Sequence, residues 1–302
     1  MQRRLAELAA IVATAPLWLA PTPAMAAATL LPVTSWFYQL QNLDLAVVAE
    51  SDYDLIVIDY SRDGSGEAAL SADEVASLKV KPDGSRRIVL AYFSIGEAED
   101  YRDYWNQEWY RQSPAWLMNE NPDWEGNYEV RFWDQDWQSI LFGAPGSYLD
   151  RILLAEFDGV YLDRVDAFER ADPEMGRAQR AAQMVALVRA IASYARSKIP
   201  GFLIVPQNGE ELLADGSYRQ TIDGFGKEDL LYGIDGDEQR NRNGDIRASL
   251  DYIRRFTSAG KPVFLVEYLH SAKAIAQAQS DATTLGFILF IADRELDHAY
   301  AR

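Results

Sequence analysis

The 302-residue chain has no cysteine and only two histidines, His270 and His298. Without thiols there are no disulfides, thiolate metal sites or cysteine nucleophiles. With two imidazoles, a serine–histidine triad or a multi-histidine zinc site has almost no material. Acid–base work therefore falls to carboxylates. Basic residues are scarce as well: 29 Lys and Arg face 46 Asp and Glu, a formal net charge of -17. That balance argues against a grip on phosphates and so against a nucleic-acid partner. A cationic or neutral partner suits the charge better, although a well-solvated acidic surface is the simpler account of it.

Long apolar runs are also missing. The stretch from Leu8 to Leu19 is broken by Pro16 and falls short of the ~20 residues that span a bilayer. Arg3 and Arg4 precede it, and Ala24-Met25-Ala26 follows with the small-x-small pattern of a cleavage site. Residues 1–26 thus read as a secretory signal, with the mature chain starting near Ala27. Removing Arg3, Arg4 and Glu7, net +1, takes the charge from -17 to -18. The expectation is a secreted or periplasmic protein with no stable membrane anchor. The remaining stretch, 27–302, is near the ~250 residues typical of an eight-stranded α/β barrel, and no Pro/Gly/Ser linker divides it.

What the chain does have is a repeated grammar of apolar strands ending in charge. Phe157-Asp158-Gly159-Val160-Tyr161-Leu162-Asp163 is the clearest case. Val160 and Leu162 need apolar cover on both faces, as in a parallel sheet, while side chains at the carboxyl end open into the crevice where ligands bind. The same pattern recurs from Leu55 to Asp59, Ile88 to Glu97 and Val263 to Glu267. Further strands are expected at Thr34–Leu40, Phe202–Pro206, Gly224–Leu230 and Leu285–Ala292. Helices separate them, one opened by the capping-box spacing Ser71-Ala72-Asp73-Glu74 and one placed from Asp172 to Lys198. Eight parallel strands close without an exposed edge, so the expected fold is a single (β/α)8 TIM barrel.

Between Gly96 and Gln138 the pattern gives way to an aromatic-rich insertion after strand three, holding six of the eight tryptophans. Most of these rings are expected to pack the insertion onto the barrel, with one to three lining a cleft where sugar faces stack.

Two carboxylates flanking a glycosidic bond suffice to hydrolyse it, and they can come from different strands. Asp163 and Glu228 form the candidate pair: Asp163 ends the strongest strand, and Glu228 ends a weakly apolar one where Gly224 and Gly226 admit close backbone approach. For any one such acid the competing role is a helix cap or a salt bridge. Asp59, Glu97, Asp166, Glu210, Glu267 and Asp293 are candidates for substrate contacts or for tuning the pair. Tyr38, Tyr60, Tyr92 and Tyr268 are candidates to hydrogen-bond or stack on substrate, although a barrel-top tyrosine packs as often, and Asn208 after the fifth strand is a further candidate contact. Gly64-Ser65-Gly66 lacks phosphate-loop spacing, and Asp235-Gly236-Asp237-Glu238 lacks EF-hand spacing and reads as a solvated turn. No metal or cofactor is expected.

Four segments together, Tyr53–Asp59, Ala91–Glu97, Phe157–Asp163 and Gly226-Lys227-Glu228, resemble the glycoside hydrolase family 114 barrel, the endo-α-1,4-polygalactosaminidase group. The likeness runs from about Trp36 to Leu296. It implies a secreted (β/α)8 enzyme that cleaves within partly deacetylated, hence cationic, galactosamine polymers. It also implies the strand-four Asp and strand-six Glu as catalytic residues, here Asp163 and Glu228. The resulting expectation is an endo-acting glycosidase on an amino-sugar polysaccharide. Its rivals are a catalytically silent carbohydrate-binding barrel and a hydrolase of another polymer on the same fold.

Overall fold

The computed structural model describes residues 30 and 32–298. The expected signal, 1–26, lies outside them. Among the described residues no helix is long and apolar enough to cross a membrane.

Eight parallel barrel strands follow in chain order: β1 (Trp36–Gln39), β2 (Leu55–Ile58), β3 (Ile88–Ser94), β4 (Gly159–Asp163), β5 (Leu203–Pro206), β6 (Phe225–Glu228), β7 (Val263–Tyr268) and β8 (Ile288–Ala292). β1 to β5 form one arc and β6 to β8 another. The arcs meet at a parallel bridge between Gln207 and Gly226, reinforced by Asn208 N donating to Gly226 O at 3.0 Å. On the far side the Trp36 indole donates to Ile288 O at 2.9 Å, and Leu40 N to Leu296 O at 2.8 Å. The fold is the (β/α)8 barrel expected from the apolar runs. Strands such as Leu55-Ile56-Val57-Ile58 are buried along their whole length because helices cover one face and the barrel interior fills the other.

That interior is aromatic. Trp36 and Tyr38 of β1 reach Tyr161 of β4, with ring centroids at 5.9 and 5.2 Å, and Trp36 reaches Phe264 of β7 at 5.6 Å. β1 and β4 are not neighbours in the sheet, so these contacts cross the barrel. Tyr161 explains the weak apolarity of β6: a Cβ on Gly226 would overlap its hydroxyl. The glycine makes room for a ring from across the interior.

Several boundaries move for physical reasons. The capping box forms as expected, with Ser71 Oγ accepting from Glu74 N and Glu74 Oε2 from Ser71 N. The helix after β4 spans Arg177–Lys198 rather than starting at Asp172. The Asp172 carboxylate accepts from Glu174 N at 2.7 Å and pairs with Arg131 at 3.2 Å, so it ties a turn to the insertion. β8 begins three residues late because Leu285 ends the preceding helix, Ala272–Leu285, and Gly286 turns the chain at φ 72. The segment 235–238, expected to be a solvated turn, belongs to a hairpin of Tyr232–Gly233 and Gly236–Arg240. Asp237 there pairs with Arg294 at 2.6 Å.

The insertion builds an antiparallel sheet from Glu97–Glu99, Leu117–Glu120 and Asn127–Val130, the last in the middle. Trp105, Trp109, Trp116 and Trp137 form a chain of ring contacts at 5.0 to 5.2 Å, and Trp137 Nε1 donates to Ile95 O. Most of the aromatics therefore pack, while Tyr101 and Trp124, 46% and 41% exposed, line the cleft.

Candidate active site

A cleft of about 660 Å³ opens at the carboxyl end of the strands, within the range of ligand pockets. Side chains two apart on a strand share a face. Tyr161 points into the barrel, so Asp163 does too, one step nearer the mouth. Glu228 stands in the same relation to Gly226. Immediately beyond these positions the chain turns sharply: Arg164, Asn208 and Asp229, which follow the ends of β4, β5 and β6, take φ of 58, 58 and 51. Left-handed backbone at a non-glycine residue costs about 1 to 2 kcal/mol. Three in a row around one rim mark a place where the fold accepts local strain to set side chains.

Asp163 and Glu228 are held by neutral donors. Tyr92 donates to Asp163 Oδ2 at 2.8 Å. Asn208 Nδ2 donates to Glu228 Oε2 at 2.9 Å, and the Tyr268 hydroxyl donates to Glu228 Oε1. Gln207 Nε2 donates to both acids, to Asp163 Oδ1 at 2.9 Å and to Glu228 Oε2 at 2.6 Å. Those two bonds, 2.9 plus 2.6, bound the separation of the two carboxyl oxygens at 5.5 Å. Burial pushes Glu228 up to about 7, and the charge of Asp163 adds to the rise against the opposing bonds from Tyr268 and Asn208. Burial also raises Asp163, partly offset by Arg164. Such a site can keep one carboxyl protonated beside an ionised one near neutral pH.

The other expected acids separate by position. Asp59 lines the cleft, but its carboxylate is bound by the buried Arg102 at 2.7 Å and by Ser61 N at 2.9 Å. Glu97 lines it too, held by Arg164 at 2.8 Å, Arg170 at 3.0 Å and Asn121 at 3.0 Å. Burial still lifts Glu97 to about 6 despite the two arginines. Asp166 lies in the turn Val165–Glu169 on the cleft wall. Tyr38 forms part of the floor, and Tyr92 and Asn208 spend their polar atoms on the pair. Asn208 Oδ1 also accepts from Glu228 N at 3.1 Å. It orients the acid more than it offers a hand to substrate.

Four expected contacts lie outside this cleft. Tyr60 is buried against Tyr148 and Arg102, with its hydroxyl donating to Gly64 O. Glu267 is fully buried and accepts the backbone N–H groups of Leu231 and Tyr232, fixing the loop after β6. Glu210 turns away to Lys227 at 3.4 Å and to Ser249. It lines a neighbouring cavity of about 320 Å³ that shares Asp166, Asn208 and Glu228 with the main cleft. Asp293 pairs with His270 at 3.1 Å and His298 at 2.7 Å. Sequence reasoning in turn missed Gln207, Arg102 and Arg294. Gln207 had a readable signal, since it directly follows β5, but a search for carboxylates passes over an uncharged amide.

The profile of glycoside-hydrolase family GH114 matches residues 19–302. An uncharacterized protein of Methanocaldococcus jannaschii is 40% identical, over 87% of this chain and 77% of its own length. One of Thermotoga maritima is 39% identical, over 79% and 72%. Among solved structures, Aspergillus fumigatus Ega3 in complex with galactosamine aligns with TM-score 0.64 at 20% identity, covering 91% of this chain and 96% of that one. The glycoside hydrolase domain of Pseudomonas aeruginosa PelA aligns with TM-score 0.62 at 18% identity, covering 88% and 97%.

Proposed function

From the premise that the chain belongs to glycoside hydrolase family GH114 and is a glycosidase, we propose that it cleaves within an amino-sugar polysaccharide with retention of configuration, Asp163 acting as nucleophile and Glu228 as acid and base. The observation that carries this reading is the shared amide of Gln207, which keeps the two carboxyl oxygens within 5.5 Å. Retaining enzymes space the pair about 5 to 5.5 Å apart, whereas inverting ones leave roughly 6.5 to 9.5 Å for a water.

In the first step protonated Glu228 gives its proton to the leaving glycosidic oxygen while Asp163 Oδ attacks the anomeric carbon, so the C–O bond breaks and a glycosyl ester forms. In the second, Glu228 as carboxylate takes a proton from water, the water oxygen attacks the same carbon, and the ester bond to Asp163 breaks. Microscopic reversibility gives one residue both proton roles. The raised Glu228 suits the first step.

Three features support the substrate class. Asp63, Glu125, Asp166 and Glu295 add acid to the cleft wall, which draws a cationic polymer. Tyr101 and Trp124 offer half-exposed ring faces for sugars. Ega3 was solved with galactosamine. Internal cleavage is supported by the second cavity, which meets the main cleft at Glu228 and leaves room for chain on both sides of the scissile bond. Export fits the leader reading, with release after Ala26. The test is proton NMR of the first product from partly deacetylated galactosamine polymer. Retention predicts that the new reducing end keeps the anomeric configuration of the bond cut; an inverted product removes the nucleophile role from Asp163.

A further inference from the structure

Arg294 follows β8 on the rim of the cleft, on the side of Glu228 away from Gln207. Its guanidinium grips Asp229 with two bonds of 3.1 Å and Asp237 of the hairpin at 2.6 Å. Held between them, its guanidinium carbon lies over the Tyr268 ring, 4.3 Å from the centroid, and the Tyr268 hydroxyl donates to Glu228 Oε1. Five donors in a rigid fork suit Arg to this task, because a point-like ammonium cannot both bridge two carboxylates and stack.

We propose that Arg294 is a positioning residue for the proton-transfer step: by stacking on Tyr268 and neutralising Asp229 it fixes the phenol that donates to Glu228 and couples the Gly236–Arg240 hairpin to cleavage. The inference rests on Glu228 being the acid and base. A cation over a phenol ring draws charge from it and makes its hydroxyl a stronger donor. A stronger donor favours the ionised carboxylate, and so does a neutralised Asp229. Both effects have the same sign. The titratable and charged groups that face Glu228 are Tyr38 from β1, Tyr161 and Asp163 from β4, Asp229 beyond its own strand and Tyr268 from β7. Tyr38, Tyr161 and Asp163 are untouched by substitution at Arg294, so a change in Glu228 reads the Tyr268 and Asp229 side alone.

The experiment follows the carbon-13 carboxyl signal of Glu228 with pH in the full chain, assigned by its loss in Glu228→Gln. Arg294→Met is expected to raise the midpoint by about one pH unit, moving the alkaline limb of kcat upward while KM changes little. Arg294→Lys, which keeps a charge near Asp229 and Asp237 without the flat face, gives a smaller rise and serves if the Met variant folds poorly. In a Tyr268→Phe background the increment from Arg294→Met falls to less than half. A midpoint unmoved in both single variants overturns the proposal, as does a raised KM with the midpoint fixed, which makes Arg294 a substrate contact. Equal increments in both backgrounds overturn the route through Tyr268. None of these titrations needs turnover, so a fully active Glu228→Gln, which sinks the catalytic reading, is a separate result.

Discussion

Two groups of acids share the barrel mouth, and they differ in what holds them. On the insertion side Asp59 and Glu99 clamp the buried Arg102, and Glu97 is gripped by Arg164 and Arg170. At the centre Asp163 and Glu228 take their side-chain hydrogen bonds from a tyrosine each and from two amides. An arginine partner holds a carboxylate by charge as well as by hydrogen bonds and opposes its protonation, which at Glu97 offsets only part of the rise that burial causes. A phenol or an amide orients it and leaves its proton free to come and go. The contrast teaches that partner charge separates anchoring acids from reactive ones at a rim where all are buried to some degree.

The sharpest way to break the comparison is to remove the charge at the centre. Glu228→Gln and Asp163→Asn keep size and most hydrogen bonds, so each is expected to cut kcat by about 10³-fold or more with the fold intact. Near-normal release of reducing ends from either would falsify that residue's role. Stability moves the other way for Glu228. In the folded protein it is pushed up to about 7 from an ordinary 4.5. The folded protein thus holds a proton that the unfolded chain has already released between those values. That contribution is complete below about 4.5 and lost as pH rises through 7. Glu228→Gln should therefore melt higher than the parent at pH 8 and close to it at pH 4, as scanning calorimetry would show. A lower melting point at pH 8 contradicts the burial argument.

On the insertion side the largest effect expected is on folding. Arg102 is 4% exposed, pairs with two acids and is surrounded by the rings of Tyr60, Tyr92, Tyr101 and Tyr148 at 5.1 to 5.9 Å. Arg102→Met leaves Asp59 and Glu99 buried without their counter-charge, a loss of about 3 to 5 kcal/mol. Urea unfolding at neutral pH measures it. A variant that unfolds like the parent while losing activity would move Arg102 from anchor to chemistry and erase the distinction drawn above.

The rim grammar was legible in sequence because it is local. A strand buried on both faces shows as an unbroken apolar run, and the residue that ends it follows by counting, which is how Asp163 stood out; Glu228 stood out by contrast, at the end of a weakly apolar strand opened by Gly224 and Gly226. The same counting gives equal rank to Glu267 and Tyr60, since neither period nor composition says which way a strand-end side chain finds its partners. Glu267 turned to the amides of Leu231 and Tyr232, and Tyr60 to the carbonyl of Gly64. The pairings of Arg102 and Arg294 were hidden for the opposite reason; adjacency in the chain suggests Asp293 for Arg294, which instead pairs with Asp229 and Asp237. Apart from Glu99, three residues before Arg102, the arginines' partners lie 43 to 65 residues away, in Asp59, Asp237 and Asp229, and contacts at that range are set by closure of the barrel, which no window of sequence contains. The hairpin after β6 escaped for the same cause, as its charged strand reads as a turn until Arg294 and the backbone of Ser271 are placed beside it.

The smallest expected effect tests the aromatics, where the insertion repeats the contrast between anchoring and working residues. Trp137 is fully buried, meets Trp116 at 5.0 Å and donates its indole N–H to Ile95 O at 3.0 Å. Trp137→Ala should cost about 3 to 5 kcal/mol of stability by the usual large-to-small figure. Trp124 keeps 41% of its surface exposed on the cleft wall, so its truncation removes little packing. If it stacks on a sugar ring, an aromatic contact worth about 0.5 to 1.5 kcal/mol is lost, which raises KM for polymer roughly two- to tenfold and leaves kcat and the urea midpoint unchanged. Isothermal binding of an oligosaccharide to Trp124→Ala in the Glu228→Gln background reads the same loss without turnover. Equal binding with and without the ring takes Trp124 out of the substrate path, and a fall in the urea midpoint returns it to the packed majority of the insertion.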